Sequence, residues 1–188
     1  GTNIKASLWF DSEKNKVRNK ILFDQIKRMT IAQPVIADVG CGYGDFPALL
    51  ISNGIIFKSY IGYDICKSLI RSCKLRYPAK NIAFYHSQSP MRDATFTVMS
   101  GTHNLAVTKS VNRWEAYLIE SIKIFLERST RALLINLQTT IDETYISEKN
   151  IYHVVATDFL SLCWEKLGVS AHEIKHEDYS ESTFVIQK

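Results

Sequence analysis

The chain has 188 residues, of which 46% are hydrophobic and 22% charged, with a formal net charge of +4. A chain of this size buries one continuous core, and its composition lies far from the low-hydrophobicity, high-charge range in which chains stay unfolded. The longest apolar runs, VIADVG and RALLINL, are strand-sized and fall well short of the roughly 20 residues a bilayer span requires. No secretory leader pattern precedes them, Gly1 reads as a scar of tag removal, and a cytoplasmic protein is expected. Cys41, Cys66, Cys73 and Cys163 are irregularly spaced without any C-x-x-C, so neither a zinc site nor a disulfide framework is expected. They should be reduced and mostly buried. A charge of +4 is too small to specify an anionic partner.

Along the chain, Val17, Ile21, Leu22, Ile26 and Met29 recur at helical spacing and predict an amphipathic helix over Asp11 to Met29. Gln33-Pro34 breaks it, and Val35 to Val39 reads as a buried strand closed by glycines. A helix over Phe46 to Asn53 ends at Gly54, and a strand over Tyr60 to Ile65 follows. Lys67 to Arg76 is helical and stops before Pro78, while Ile82 to His86 and Phe96 to Ser100 are strands. Trp114 to Leu126 forms a long amphipathic helix, Ala132 to Leu137 a fifth strand, and Gln138 to Asn150 a polar loop. A helix over Val155 to Leu167 ends at Gly168, before a hairpin near Ala171 to His176 and Ser182 to Gln187. Alternating βα units predict a doubly wound, mostly parallel seven-stranded α/β sheet with helices on both faces and a C-terminal antiparallel hairpin. One domain is expected over 1–188, with an N-terminal helical segment over 1–33 and the core over 34–188.

The informative stretch is Asp38-Val39-Gly40-Cys41-Gly42-Tyr43-Gly44-Asp45-Phe46, where the first strand turns into a helix. Gly40, Gly42 and Gly44 let the chain bend sharply and bring backbone against a ligand with no Cβ between them. Asp64 ends the next strand, twenty residues beyond Gly44, where a carboxylate can accept both hydrogen bonds of a ribose diol or cap the next helix. Asp38, two residues before the first glycine, would repel a pyrophosphate but suits the ammonium of a bound amino acid, directly or through water. No G-x-x-x-x-G-K-[ST] loop is present.

DVGCGYGDF, YIGYDI and FTVMSGTHNL together resemble the class I S-adenosylmethionine-dependent methyltransferase family over nearly the whole chain. The resemblance implies that Asp38, Gly40, Cys41, Gly42 and Gly44 hold the methionine part of S-adenosylmethionine, with S-adenosylhomocysteine as product, and that Asp64 holds the ribose. It implies Ile65 against the adenine. Where members often carry an acidic residue for the adenine amino group, this chain reads His86-Ser87-Gln88-Ser89, leaving Ser87 or Gln88 to accept that bond. Ser100, Gly101 and Asn104 resemble the S-G-x-x-N of a subset of small bacterial methyltransferases, as do Trp114 and Asp178-Tyr179. Amino-methylating enzymes of DNA, RNA and protein glutamine are often marked by an N-P-P-Y type sequence, where this chain reads S-G-T-H.

His103 is the candidate general base, or a residue that shapes the pocket, and Asn104 a candidate for positioning substrate, or a local cap. Tyr43 and Asp45 lie in the turn, and Tyr152 and His153 in a segment able to cover substrate. The basic residues Lys14, Lys16, Arg18, Lys20, Lys27 and Arg28 read as a solvated helix face. The expected activity is methyl transfer to an O or N nucleophile of a small or medium-sized metabolite. Nucleic acid is not favoured, no membrane partner is expected, and oligomeric state is open. An RNA or protein methyltransferase and a non-catalytic partner subunit are the alternatives.

Overall fold

The computed structural model describes residues 12–29, 31–177 and 179–188. The elements run α1 (Ser12–Arg28), β1 (Val35–Val39), α2 (Asp45–Ser52), β2 (Ser59–Asp64), α3 (Lys67–Arg76), β3 (Ile82–His86) and β4 (Ala94–Met99). A 3-10 turn (Thr102–Asn104) leads to α4 (Val111–Glu127), β5 (Ser129–Thr140), β6 (Tyr145–Ile146), β7 (Tyr152–Val155), α5 (Ala156–Leu167), β8 (Ala171–Lys175) and β9 (Glu181–Gln187). One sheet takes the order β3-β2-β1-β4-β5-β7-β6, and β9 pairs antiparallel with both β5 and β8. The strands β1 to β5 are parallel throughout, as short βα crossovers demand.

The period-2 alternation of these strands sorts the core into two layers. Ile36, Tyr60, Phe84, Phe96 and Leu134 face the helices α1, α2 and α3, where Leu22, Phe46, Leu50 and Cys73 meet them. Val39, Ile61, Met99, Leu133 and Ile135 face α4 and α5, where Trp114, Leu118, Ile122, Phe159 and Cys163 meet them. The helix stops match their residues: Gly168 ends α5 at φ 66°, and the Ser110 hydroxyl caps α4 by accepting the Arg113 N–H.

The expected polar loop over Gln138 to Asn150 is partly strand. β5 runs on to Thr140, and β6 and β7 form a small hairpin whose Tyr152–Val155 arm lies parallel to Gln138–Thr140. Gln138 pairs with His153 on one edge and Glu181 on the other, so this hairpin stands on the β4 side of β5, beyond the point where β4 ends. Its sequence is too polar and too short to show alternation.

Arg18 departs from the solvated face expected of α1. It is 3% exposed and makes a two-pronged pair with Glu181, itself 2% exposed, using Nε at 2.7 Å and the neighbouring terminal nitrogen. Gln138 donates its amide to the same carboxylate, and Asn136 Nδ2 lies 3.4 Å from it. The donors hold the Glu181 pKa below its ordinary value against the burial that would raise it. Two pairs of α1 charges meet on the surface, Lys16 with Glu13 and Lys20 with Asp24, both at 2.6 Å. Arg18→Met leaves a buried carboxylate without its guanidinium, so urea unfolding should show a loss of about 3–5 kcal/mol, partly recovered in R18M/E181Q. A loss below about 1 kcal/mol would mean that the remaining donors suffice.

Candidate active site

The glycine turn is built by positive φ angles that a side chain would resist: 77° at Gly40, 54° at Gly42 and 75° at Gly44. At Gly40 there is also no room, because a Cβ would stand 2.0 Å from Thr102 Oγ1. Thr102 donates that hydroxyl to the Val39 carbonyl at 2.8 Å, so the residues after β4 clamp the end of β1. Gly42 is the opposite case, since a Cβ there would meet nothing within 4 Å. The backbone at Gly42 therefore borders open space, as a ligand cradle must.

Asp64 joins this turn to β2. Its Oδ2 accepts the Gly42 N–H at 3.0 Å and its Oδ1 the Cys66 N–H at 2.8 Å. Each oxygen keeps a lone pair for a further donor. Gly40 and Cys41 donate their N–H groups to the Tyr63 carbonyl at 2.7 and 3.0 Å. The Tyr77 hydroxyl donates to the Gly44 carbonyl, and Arg76 donates to the Tyr43 carbonyl at 3.1 Å while lying 3.6 Å from Asp45. Asn15 of α1 donates to Asp45 from the other side, at 3.1 Å.

Ile65 is 73% exposed beside this turn, an apolar side chain with no protein cover. The His86 ring contacts the Ile65 carbonyl at 3.0 Å, and Ser87 donates its N–H to the Asp64 carbonyl at 3.1 Å. The Ser87 hydroxyl is turned inward, donating to the Ser89 carbonyl at 2.8 Å. Gln88 is exposed. Ser100 follows β4 with its hydroxyl buried and unpartnered among the described residues, and Gly101 takes φ 72°.

His103 does not stand at the mouth of the crevice as a general base would. It is 5% exposed, stacks on Tyr117 with ring centroids 5.8 Å apart, and lies 6.2 Å from both Trp114 and Phe125. Burial alone pushes its pKa down to about 4, so the imidazole is neutral at physiological pH and too weak a base to hold a transferred proton there. Asn104 is also buried. Its Oδ1 accepts the Gln138 N–H at 3.1 Å and its Nδ2 lies 3.5 Å from Asn136, so both ends serve the protein rather than a substrate. Tyr152 donates its hydroxyl to Glu115 at 2.9 Å, and His153 stacks on Tyr145 at 4.7 Å. Lys14 lies over the Tyr179 ring at 5.1 Å, and Asp178 lies outside the described residues. Among the described residues no cluster of His, Cys, Asp and Glu could hold a metal ion, and no helix is long and apolar enough to cross a membrane.

Thr102, Tyr60 and Cys73 belong to the site without having been singled out in the sequence. Tyr60 donates its hydroxyl to the Asp38 carboxyl, and Cys73 donates its thiol to the Gly42 carbonyl at 3.3 Å. Only the β1–β2 register, which sets Ile36 opposite Tyr60 and Asp38 opposite Gly62, could have placed Tyr60 beside Asp38.

Comparison with known proteins finds methyltransferases. The family model described as "Methyltransferase domain" matches residues 37–124. Rv1506c of Mycobacterium tuberculosis, a protein named as a methyltransferase, is 24% identical over 155 residues, covering 81% of this chain and 92% of that protein. Among solved structures, magnesium protoporphyrin IX methyltransferase of Synechocystis, with S-adenosylmethionine bound, superposes at TM-score 0.66 and 12% identity. That match covers 93% of this chain and 79% of the other. A S-adenosylmethionine-dependent methyltransferase of Leishmania major gives TM-score 0.73 at 12% identity, covering 96% and 75% of the two chains. The fold is therefore the Rossmann-like fold of those enzymes.

Asp38 carries a pH dependence. Burial pushes its pKa up to about 7 against the opposing Tyr60 hydrogen bond, whereas an unfolded aspartate titrates near ~4. The folded state binds this proton more tightly, so the Asp38 contribution to stability falls as pH rises from ~4 to ~7. Asp38→Asn, which still accepts from Tyr60, should therefore gain thermal stability over the parent above pH ~7, with the gap closing toward pH ~4. A gap that does not change with pH would contradict this account of Asp38.

Proposed function

We propose that this chain, a S-adenosylmethionine-dependent methyltransferase, moves the cofactor's methyl group to an O or N nucleophile of a small or medium-sized metabolite. The observation that carries the reading is the open cradle at Gly42, whose N–H is held by the Asp64 carboxylate, with Ile65 left bare next to that acid. When bound, S-adenosylmethionine supplies a methyl group on a sulfonium, which an acceptor lone pair displaces in line. The chain's part is placement, which suffices for such a transfer.

In this reading Asp64 holds the ribose diol on its remaining lone pairs, and Ile65 covers one face of the adenine. Gln88 accepts the adenine amino group, since the Ser87 hydroxyl is engaged elsewhere. Gly40, Cys41, Gly42 and Gly44 border the methionine part, and Asp38 receives its ammonium, directly or through water. That ammonium would favour the ionised form of Asp38, so binding below pH ~7 should release a proton. Ser100 and Gly101, at the carboxyl end of β4, border the cofactor at its methyl group. His103 and Asn104 act on this edge indirectly: the ring wedges the loop against α4, and the amide ties it to β5. A neutral His103 implies that the acceptor's proton leaves to solvent or to a group of the acceptor itself.

Two features favour a small acceptor over RNA or protein. The β6–β7 hairpin extends the sheet beside the carboxyl end of β5, and α1 is pinned through Arg18 to Glu181 on the other edge of that strand, which narrows the approach for a large acceptor in this reading. Of the cations of α1, Lys16 and Lys20 sit in local pairs and Arg18 in the interior, while Lys27 and Arg28 are exposed in the last turn, so the helix offers a reduced basic surface to a phosphate backbone.

Calorimetric titration tests the cofactor assignment. S-adenosylmethionine and S-adenosylhomocysteine should bind with dissociation constants on the order of micromolar. Asp64→Ala should lose most of that affinity, and below pH ~7 the heat should depend on the buffer's ionisation enthalpy. No binding of either ligand to the parent protein would overturn the reading and favour a scaffold subunit.

A further inference from the structure

Tyr152 and Val154 of β7 are buried in the core layer against α4 and α5, so the alternation of a strand turns His153 to the opposite face of the sheet. Its register partner Gln138 lies on that face too, where its amide reaches Glu181, the carboxylate that holds Arg18 of α1. Across the hairpin Tyr145 stands opposite His153, and the two rings stack at 4.7 Å with 5° between their planes. We propose that Tyr145 and His153 form a binding site for the methyl acceptor, and that the acceptor is an uncharged aromatic ring bearing hydroxyl groups, a phenol; this rests on the reading of the neighbouring cradle as the S-adenosylmethionine site.

The place of the pair follows from the register. β7 takes up the line of the sheet that β4 vacates. Met99, the last residue of β4, is opposite Ile135, and His153 is opposite Gln138, so the two backbones stand about 10 Å apart along β5. Ser100 and Gly101 open that gap from the β4 end. Asn104, whose side chain accepts the Gln138 N–H, closes it in the plane of the sheet, which leaves the α1 face for an acceptor. A gap of this length takes a small ring and not a folded chain.

The hairpin that carries the pair is tied down on both sides. Leu105 bridges to Ile151, Ala106 donates its N–H to the Asn150 carbonyl at 2.8 Å, and Lys109 donates to the carbonyls of Ser147 and Glu148 at 2.7 and 2.9 Å. Thr144 accepts the Val155 N–H on its hydroxyl at 3.0 Å. Rings held in this way lose little freedom when a ligand stacks on them.

The chemistry of the pair selects the ligand. Tyr145 is 40% exposed, His153 is half-buried, and neither His153 nitrogen has a hydrogen-bond partner among the described residues. Burial holds the imidazole below the ordinary histidine pKa, so at physiological pH it is neutral and presents one donor and one acceptor nitrogen. A hydroxyl both donates and accepts and so matches either nitrogen, whereas the delocalised lone pair of an aromatic amine accepts poorly. The buried charges of this face, Arg18 and Glu181, are committed to each other, which favours an uncharged acceptor.

The test uses the full chain with isotope-labelled histidine, saturated with S-adenosylhomocysteine, and catechol as the probe. Catechol should shift the His153 ring resonances saturably, and methyl glucoside, a polyol without an aromatic face, should leave them in place. Read from the ligand's own resonances, the catechol dissociation constant should rise roughly tenfold or more in His153→Ala and recover in part in His153→Gln, which keeps a donor and an acceptor. Calorimetry should show S-adenosylhomocysteine binding to these variants as it does to the parent, and Tyr145→Ala takes their place should circular dichroism show them unfolded. Catechol that leaves His153 unshifted, an equal shift with methyl glucoside, or an unchanged catechol dissociation constant in a folded variant would overturn the inference. A parent protein that binds no S-adenosylhomocysteine would instead overturn the cofactor assignment, while the catechol titration still reports on the ring pair.

Discussion

The Asp64 carboxylate accepts the Gly42 N–H on one oxygen and the Cys66 N–H on the other, binding the turn after β1 to the turn after β2. A carboxylate suits the position because two backbone donors converge on it, one on each oxygen, and it still has lone pairs to spare. Around this contact the rest of the edge is arranged. Gly40 and Cys41 hang from the Tyr63 carbonyl, Gly44 is held through its carbonyl by Tyr77, and Ile65 is left bare beside the cradle. The parallel register that sets Asp38 opposite Gly62 and Val39 opposite Tyr63 makes these two turns neighbours in the first place.

On the other side of the crevice, a buried polar chain serves the same end. Arg18 reaches from α1 to Glu181, Glu181 takes the Gln138 amide, and the Gln138 N–H is held by Asn104 after β4. Buried charge is costly unless every lone pair and proton is matched, and here the carboxylate collects donors from α1 and β5. The chain thereby fixes the position of α1 over the sheet, which hydrophobic contacts through Leu22, Phe23 and Ile26 would specify less sharply. It also explains why Asn104 has no free end for a substrate.

Much of this was legible in the residues. The buried run of β1, the helix α3 and the strand β3 were placed with little error, because each is bounded by a glycine, a proline or a polar break. The glycine turn and Asp64 were legible because few other physical demands produce positive φ and a strand-end acid at that spacing. The β6–β7 hairpin was not, since strands of two and four residues show no period and are held by pairing with distant β5. Arg18 read as a surface cation because helical periodicity cannot reveal that a carboxylate 163 residues away lies beneath it. For His103 the residues left a general base and a pocket-shaping ring both open, and no local pattern could show that three aromatic rings of α4 lie around it, which favours the second.

The central claim is that Asp64 and the Gly42 turn hold a nucleoside whose base lies on Ile65. A crystal structure of the chain with S-adenosylhomocysteine tests it most directly. The account predicts the ribose hydroxyls on the Asp64 oxygens, the adenine across the Ile65 side chain, and the amino acid end along Gly40 to Gly42 toward Asp38. A ligand bound elsewhere, or one whose ribose leaves Asp64 untouched, would contradict it.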